Sequence, residues 1–315
     1  MSWEGRRRVI LRSVQPDEVG LLVSRSGKVA DSGRWVRGLL ERGDSRLSWC
    51  RMALEGDHVL AAHILDSWSP DRPPADVPTF VSLLGDTDPT AAIALLTNDL
   101  ERFRATRVQA NLSSDADATP ELRLLRQDQH HVLLSSGFEL LVDRVSALWA
   151  GGLLPTVDPA LTFHPAAVTD EEDLIEIFAA VGEGSVDHGM RSGRIDLGRR
   201  EEAAMRLRAA RRRTHEHHWF AIARDASSTP VGYVQSALIN GRAVLAEVGV
   251  VEAYRGRRIV DQLLTYGTTV LDAGGNTPIR AHTDQANSAM RRAFARAGYK
   301  EAGTRRDYRW SRDPS

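Results

Sequence analysis

Cysteine, long apolar runs and excess charge are all scarce in this sequence, and each scarcity excludes a class of protein. Cys50 is the single cysteine, so no internal disulfide framework can form. No apolar run approaches the length of a membrane-spanning helix, and no long apolar core follows the basic residues near the N-terminus, so no signal peptide is predicted. The formal net charge of -1 gives no overall attraction to nucleic acid or anionic membranes. We therefore expect a cytoplasmic protein that binds neither.

The sequence does contain enough apolar residues for two domains of ordinary size. It has 315 residues, of which 42% are apolar and 26% are charged, as in typical globular proteins. The predicted strands and helices follow the same order in both halves, and the segment LLSSGFELL stands where FARAGYKEA stands later. We infer an internal duplication of roughly 150 residues. The predicted domains are 1–152 and 153–315, with the boundary near Gly151-Gly152.

The most informative stretch of the chain lies between residues 246 and 299. A buried strand over 243–251 is followed by a turn at Arg255-Gly256 and by a helix that starts near Ile259. A second, smaller helix is predicted from Asn287 to Ala297. The first N–H groups of a helix lack partners, and its dipole is positive at that end, so the turn is suited to bind a phosphate group. The C-terminal half is therefore predicted to bind a phosphorylated cofactor.

These residues resemble the GNAT superfamily of acyl-CoA-dependent N-acyltransferases. The turn Arg255–Val260 corresponds to the family signature Gln/Arg-x-x-Gly-x-Gly/Ala, with Arg258 and Val260 at the two glycine positions. The spacing of Asn287, Phe294 and Gly298-Tyr299 is similar to the family's second motif. The resemblance implies a mixed α/β (α+β) fold of two tandem GNAT-like domains, each a bent mixed sheet flanked by helices. It covers 161–310 by motif, whereas 8–149 matches by element order and by the SGFE ending.

The resemblance also implies acetyl-CoA as the acyl donor and assigns residues to it. In the family, backbone N–H groups after the turn hold the pyrophosphate, and a backbone N–H on the preceding strand polarises the thioester carbonyl. The implied cofactor-binding residues are Val248, Gly249, Val250, Arg255, Gly256, Arg257, Arg258, Ile259, Val260, Asn287 and Phe294. The family commonly protonates the leaving thiolate with a tyrosine at the position of Phe294, which has no proton to give.

Acyl transfer to an amine requires a general base, and three residues are candidates for it. Glu247 lies on the predicted strand before the turn. His282 and Asp284 lie on the next strand and share one side of it by strand alternation. Histidine titrates near neutral pH, and a carboxylate at a strand end is an alternative base. The sequence leaves the choice among the three open, and each of them also fits a purely structural hydrogen bond.

The N-terminal half lacks a comparable turn. Its equivalent segment, Gly85–Pro89, contains Asp86 and Asp88, which would repel pyrophosphate. We therefore expect no CoA binding in that half. Its expected role is structural, either completing a substrate groove or making a dimer contact, and a homodimer stays open.

Three other segments contain residues that could serve a function. The segment 214–218 is rich in histidine but fits no zinc spacing, so no metal is predicted. The arginine-rich helix predicted over 199–213 contains Glu201 and Glu202 and lacks aromatic residues, which favours a solvated face, or an edge for an acidic substrate, over a nucleic-acid site. The glycine-rich loop over 182–194 contains Glu183, Asp187 and His188, which would suit a cationic amine; the alternative is a flexible surface loop.

The predicted function is transfer of an acetyl or other acyl group from CoA to a small-molecule amine, with Glu247 or His282 as base. The first alternative is a CoA-binding or ligand-binding protein without transferase activity, and the second is an interaction scaffold. The acceptor is left open among antibiotics, polyamines, amino acids and protein N-termini.

Overall fold

The computed structural model describes residues 9–20, 22, 32–43, 45–66, 76–82, 89–116, 118–156, 159–213, 216–239 and 241–312. The chain divides into two compact units, one made of Met1–Asp143 with Arg305–Ser315 and the other of Arg144–Thr304. Both units combine strands and helices, so the predicted mixed α/β class is confirmed. The domain boundary near Gly151-Gly152 stays a prediction.

The first unit is a mixed sheet with helices. Its strands follow the spatial order β1-β2-β3-β4-β5, antiparallel except for the parallel pair β4–β5. Its elements are β1 (Val9–Ser13), α1 (Ser32–Arg42), β2 (Cys50–Glu55), β3 (His58–Asp66), β4 (Asp76–Ser82), α2 (Thr90–Arg102), β5 (Arg107–Asp115) and α3 (Pro120–Ser135).

The second unit repeats this plan. Its elements are β7 (Thr162–Pro165), α4 (Glu171–Gly182), α5 (His188–Leu197), α6 (Arg199–Arg213), β8 (Phe220–Arg224), β9 (Pro230–Ile239), β10 (Arg242–Val250), α7 (Ile259–Ala273), β11 (Ile279–Asp284) and α8 (Ser288–Arg296). The order β11-β10-β9-β8-β7 places the parallel pair β10–β11 at one side of three antiparallel pairs.

Two strands pass from one unit to the other. Strand β6 (Glu139–Trp149) begins in the first unit and ends in the second, where its residues 144–149 pair antiparallel with β11. Strand β12 (Lys300–Ser311) begins in the second unit and ends in the first. Each strand carries a tryptophan at or next to its end, and that tryptophan packs against a glycine of the receiving unit. A Cβ built on Gly298 would lie 3.5 Å from the Trp149 indole, and one built on Gly137 would lie 3.4 Å from that of Trp310.

The sheet of the second unit has a different apolar core on each face. On one face, Leu245 of β10 and Ala281 of β11 pack with Leu263 of α7 and Phe294 of α8. On the other face, Tyr233 of β9 packs with residues of α4 and α6, and its ring stacks on Phe178 at 4.2 Å between centroids. The faces are called here the α7 face and the α4 face.

Helix α5 corrects the sequence prediction, which treated 182–194 as a loop. Asp187 caps the helix by accepting a hydrogen bond from Met190 N at 3.0 Å, and Gly198 ends it with φ of +81°. Its apolar residues are not spaced to form a buried stripe, and no residue of the helix is buried. Because a helix without a buried face lacks the 3.6-residue apolar period, periodicity could not detect it.

The arginines of α6 pair mainly with carboxylates of α4. Arg199 contacts Glu176 at 3.1 Å, and Arg211 contacts Glu171. All four side chains are about half exposed, so each pair contributes only about 0–1 kcal/mol to stability. Among the described residues, no helix is both long and apolar enough to cross a lipid bilayer.

Candidate active site

A gap opens between β10 and β11. The two strands pair only at Ala243–Ile279 and Val244–Arg280. Beyond that point β10 stays paired with β9 as far as Val250, and β11 stays paired with β6 as far as Asp284. The facing edges of 245–250 and 281–284 are therefore unpaired with each other, and backbone groups along them can contact a bound molecule.

A β-bulge at Ala246 decides which side chains line this gap. The pairing of β10 with β9 shifts between Leu245 and Glu247, so Ala246 is the extra residue. Leu245 packs on the α7 face, and without the bulge Glu247 would follow it there, because residues i and i+2 share a face. With the bulge, Val248 and Val250 pack on the α7 face and Glu247 faces α4.

The three candidate bases share the α4 face on the two sides of the gap. On β11, Ile279 and Ala281 belong to the core of the α7 face, so His282 and Asp284 point the other way by alternation. Glu247 comes from β10 on the opposite side of the gap. The structure therefore brings together the residues that the sequence proposed for proton transfer.

Glu247 is held by two donors at one oxygen. Its Oε1 accepts hydrogen bonds from Tyr233 OH at 2.6 Å and from Arg206 Nη1 at 2.8 Å. Its side chain is 14% exposed, and its Oε2 has no hydrogen-bond partner among the residues that the structure describes. One carboxylate oxygen thus anchors the side chain and the other stays available.

Asp284 has both oxygens engaged. Oδ1 lies 2.7 Å from Arg144 Nη1, and Oδ2 accepts from His188 N at 2.6 Å. The same Arg144 nitrogen also contacts Asp187 at 3.1 Å. Burial, followed by the nearby Asp187 charge, raises the pKa of Asp284. These contacts fasten the start of α5 to the end of β11.

His282 is hydrogen-bonded through its ring. Its Nδ1 lies 2.9 Å from Ser146 Oγ on β6. A hydrogen bond at Nδ1 fixes the ring orientation and influences which nitrogen carries the proton. His282 is therefore an oriented imidazole at the edge of the gap.

Backbone amides of β10 face the gap. Val251 N donates to Val231 O on β9 at 3.0 Å, and backbone groups alternate sides along a strand, so Val248 and Val250 direct their N–H groups away from β9. Gly249 lies between them in close packing, because a Cβ there would stand 2.2 Å from Val181 Cγ1. Val248 and Val250 are thus placed to donate to an oxygen in the gap.

The turn before α7 keeps the backbone conformation that glycine favours. Arg258 stands at the N-cap with φ of +58°, a left-handed conformation that costs a non-glycine residue about 1 kcal/mol, and Gly256 has φ of +79°. No side chain caps the helix, so the N–H groups at Ile259 and Val260 remain open to a ligand. Arg257 and Arg258 are exposed, and the Arg257 guanidinium lies over the Tyr254 ring at 5.3 Å.

Arg255 points inward rather than into the turn. Its Nη2 donates to Val181 O at 2.7 Å and its Nε to Val250 O at 3.3 Å. The guanidinium therefore connects the end of α4 to the end of β10. A contact of Arg255 with pyrophosphate, as the sequence predicted, stays a prediction.

The two residues of the second motif serve α8 and the core. Asn287 caps α8 by accepting from Met290 N at 3.1 Å. Phe294 is 5% exposed and packs with its ring centroid 5.6 Å from that of Tyr299. Arg296 of the same helix forms two hydrogen bonds, of 2.6 and 2.7 Å, to Asp261 in the first turn of α7. This pair neutralises the one carboxylate in that first turn.

Sequence reasoning missed Arg206, Tyr233 and Arg144. Arg206 is one of several arginines in α6, and no local pattern distinguishes it from its exposed neighbours. Tyr233 lies in an apolar strand and is indistinguishable there from a core residue. Two predictions concern segments that lie partly outside the described residues, namely Gly85–Pro89 at 85–88 and the segment 214–218 at 214–215. Within the described part of the chain, no group of three or more His, Cys, Asp or Glu side chains is arranged to hold a metal ion.

Comparison with known proteins gives a family match over part of the chain and a similar fold over nearly all of it. Residues 190–299 match the model of the acetyltransferase (GNAT) family. No curated protein matches the chain. A GCN5-related N-acetyltransferase from Sphaerobacter thermophilus is 16% identical over 98% of both chains, with a TM-score of 0.66. A tandem GNAT protein from the clavulanic acid biosynthesis pathway is 16% identical over 98% of this chain and 100% of its own, with a TM-score of 0.58. At these identities the similarity shows the fold.

Proposed function

We propose that the protein transfers an acetyl group from acetyl-CoA to the amine of a small molecule, since residues 190–299 match the model of the acetyltransferase (GNAT) family. The resemblance seen in the sequence is thereby confirmed at the level of the family, whose general chemistry is acyl transfer. The observation that carries the proposal is the gap between β10 and β11, which places an anchored carboxylate and two backbone donors at its edge.

The residues around the gap fit acetyl-CoA, which supplies the acyl group as a thioester. The open N-terminus of α7, with exposed Arg257 and Arg258, suits the pyrophosphate. The N–H groups of Val248 and Val250 suit the thioester carbonyl, whose oxygen gains negative charge as the amine attacks. The C–N bond forms and the C–S bond breaks, so one proton must leave the nitrogen and one must reach the sulfur.

Glu247 is the proposed acceptor of the amine proton, directly or through one water. Its Oε2 is free among the described residues, whereas both oxygens of Asp284 are engaged. Asp284 is proposed to hold α5 in place rather than to take the proton. His282 is the second candidate for the base. The sulfur takes its proton from water, because Phe294 has none to donate.

The first test measures binding and turnover separately. We expect acetyl-CoA to bind at one site per chain in a calorimetric titration, and CoA release to depend on an added amine. Free thiol can be measured directly, because Cys50 is fully buried and burial raises its pKa to about 11.

Glu247→Gln keeps the shape of the side chain and removes its basicity. We expect the turnover number to fall by about 10²–10⁴ while acetyl-CoA binding is unchanged. The exposed Glu301→Gln is the matched control and should behave as the wild type. If His282→Asn abolishes turnover and Glu247→Gln does not, the base is His282.

A second candidate is a CoA-binding protein without turnover. It is favoured by Phe294 in place of a proton donor and by Arg258 and Val260 at glycine positions. Arg258→Gly and Arg258→Ala separate the two effects of that arginine, since both remove charge and only glycine relieves the left-handed backbone. Acetyl-CoA binding without acylation of any amine would favour this second candidate, and absence of binding would exclude both.

A further inference from the structure

We propose that Arg206 is the positioning residue for the transfer: its guanidinium holds the Glu247 carboxylate so that Oε2 faces the gap. This inference rests on the proposed function, in which Glu247 takes the proton from the amine. Among the residues at the edges of the gap, Arg206 contacts the side chain of Glu247, and it acts through that contact.

Arg206 lies at the centre of a compact polar network on the α4 face. Its Nη1 donates to Glu247 Oε1 at 2.8 Å and to Tyr233 OH at 2.7 Å. Its Nε donates to Glu202 Oε1 at 2.5 Å, and its Nη2 donates to Phe178 O at 2.6 Å. Every nitrogen of the guanidinium is therefore used.

These contacts join four elements at one point. Arg206 and Glu202 lie on α6, Phe178 on α4, Tyr233 on β9 and Glu247 on β10. A planar guanidinium offers several donors in a fixed geometry, whereas an ammonium is a single point charge. Arg206 thus fixes the position of Glu247 relative to two helices. A single hydrogen bond from Tyr233 would not do this.

The charges of the network are arranged to keep Glu247 anchored. Burial, followed by the neighbouring Glu247, raises the pKa of Tyr233 well above its usual value, so its hydroxyl stays protonated and donates to Glu247. Burial also raises the pKa of Glu202, whose side chain is 2% exposed. The arginine thus has two carboxylate neighbours, of which Glu247, at 14% exposure, is the more accessible to solvent.

Arg206→Lys tests the proposal because lysine keeps the positive charge and loses the planar set of N–H donors. We expect the turnover number to fall by about 10- to 100-fold, as a small misplacement of a catalytic group can produce. The KM for acetyl-CoA should be unchanged, because the turn before α7, which is proposed to bind the pyrophosphate, lies outside the network. Arg208→Lys on the same helix is the matched control, since that exposed arginine pairs only with Glu201 among the described residues.

A double variant distinguishes positioning from general damage to the fold. If Arg206 acts through Glu247, Arg206→Lys combined with Glu247→Gln should be no slower than Glu247→Gln alone, within about twofold. Tyr233→Phe removes the other donor and keeps the ring on Phe178, so it should lower turnover in the same direction. It provides a second measurement if Arg206→Lys fails to fold.

The outcomes separate this proposal from the proposed function. Wild-type turnover in Arg206→Lys, or a double variant much slower than Glu247→Gln alone, would overturn the role of Arg206 and leave the function standing. If the wild type acylates no amine, the function fails. The positioning is then decided by crystal structures of the wild type and Arg206→Lys, in which an unmoved Glu247 carboxylate overturns it and a displaced one supports it.

Discussion

Each unit contains an arginine that pairs with a carboxylate in a largely buried cluster. The two clusters differ in their exposure to solvent and in their position relative to the gap. In the first unit, Arg51 of β2 contacts both oxygens of Asp99 on α2 at 3.0 and 3.1 Å, and His63 of β3 contacts the same carboxylate at 2.9 Å. These three side chains are at most 2% exposed. In the second unit, Arg206 and Glu247 are 11% and 14% exposed and stand beside the gap.

The difference shows how similar chemistry serves two purposes. A fully enclosed cluster can only hold its own elements together, and an ion pair of this kind is weak evidence of net stabilisation. A cluster at the edge of a gap can present an oxygen to a ligand, because part of its surface remains accessible. The first cluster should therefore affect stability alone, and the second should affect chemistry.

The largest expected effect is that of Asp99→Ala. Removing the carboxylate leaves Arg51 buried without its partner, so we expect the free energy of unfolding to fall by about 3–5 kcal/mol. Urea unfolding measures this change. Glu101→Ala on the same helix is the exposed control and should change stability by less than about 0.5 kcal/mol. If Asp99→Ala remains folded and loses turnover specifically, the comparison fails.

Replacing each whole cluster with apolar residues sharpens the contrast. Arg51→Met with His63→Leu and Asp99→Leu should lie within about 2 kcal/mol of the wild-type stability, since buried ion pairs are often replaceable in this way. Transfer should continue in that variant. Arg206→Met with Glu202→Leu and Glu247→Leu should also fold, but transfer should be lost. Equal losses of transfer in both variants would contradict the assignment of separate roles.

A smaller effect is expected from Glu202→Gln, through pH. Burial raises the folded-state pKa of Glu202 above its unfolded value, so its contribution to stability is present below the unfolded pKa and is lost as pH rises through the folded pKa. Glutamine cannot titrate and still accepts from Arg206. As the pH rises from 4 to 8, the melting temperature of the variant should therefore increase relative to that of the wild type. A difference in melting temperature that does not change with pH would refute this.

The smallest expected effect is that of Arg211→Ala, which removes an exposed contact with Glu171. Such a pair contributes about 0–1 kcal/mol, and less at high salt because the charges are screened. The change in the free energy of unfolding should be near the error of the measurement in 1 M salt. A loss comparable to that of Asp99→Ala would mean that exposure does not decide the strength of these pairs.

The sequence predicted much of the second unit because local patterns specify it. The strand–turn–helix at Arg255-Gly256 and the small helix after Asn287 have turn residues, caps and apolar spacing that can be recognised without a structure. The positions of Glu247, His282 and Asp284 followed from those elements.

The remaining features depend on contacts distant in sequence. The bulge at Ala246 is defined by the pairing with strand β9. The face of the sheet on which Glu247 lies could therefore not be derived from β10 alone. Arg206 differs from its neighbours in α6 only through Phe178, Tyr233 and Glu247, which come from three other elements. Helix α5 has no apolar stripe, so periodicity did not distinguish it from a loop.

The crossing strands β6 and β12 make the gene hard to divide. A protein cut after Gly152 would lack residues 305–311, which belong to its first unit. A protein beginning at Leu153 would lack residues 144–149, and with them Trp149 against Gly298. Although the chain contains two similar halves, the first unit is not encoded by a continuous segment, because its residues 305–315 follow the second unit in the sequence. Fission into two independently evolving proteins would therefore require the first unit to replace the end of β12.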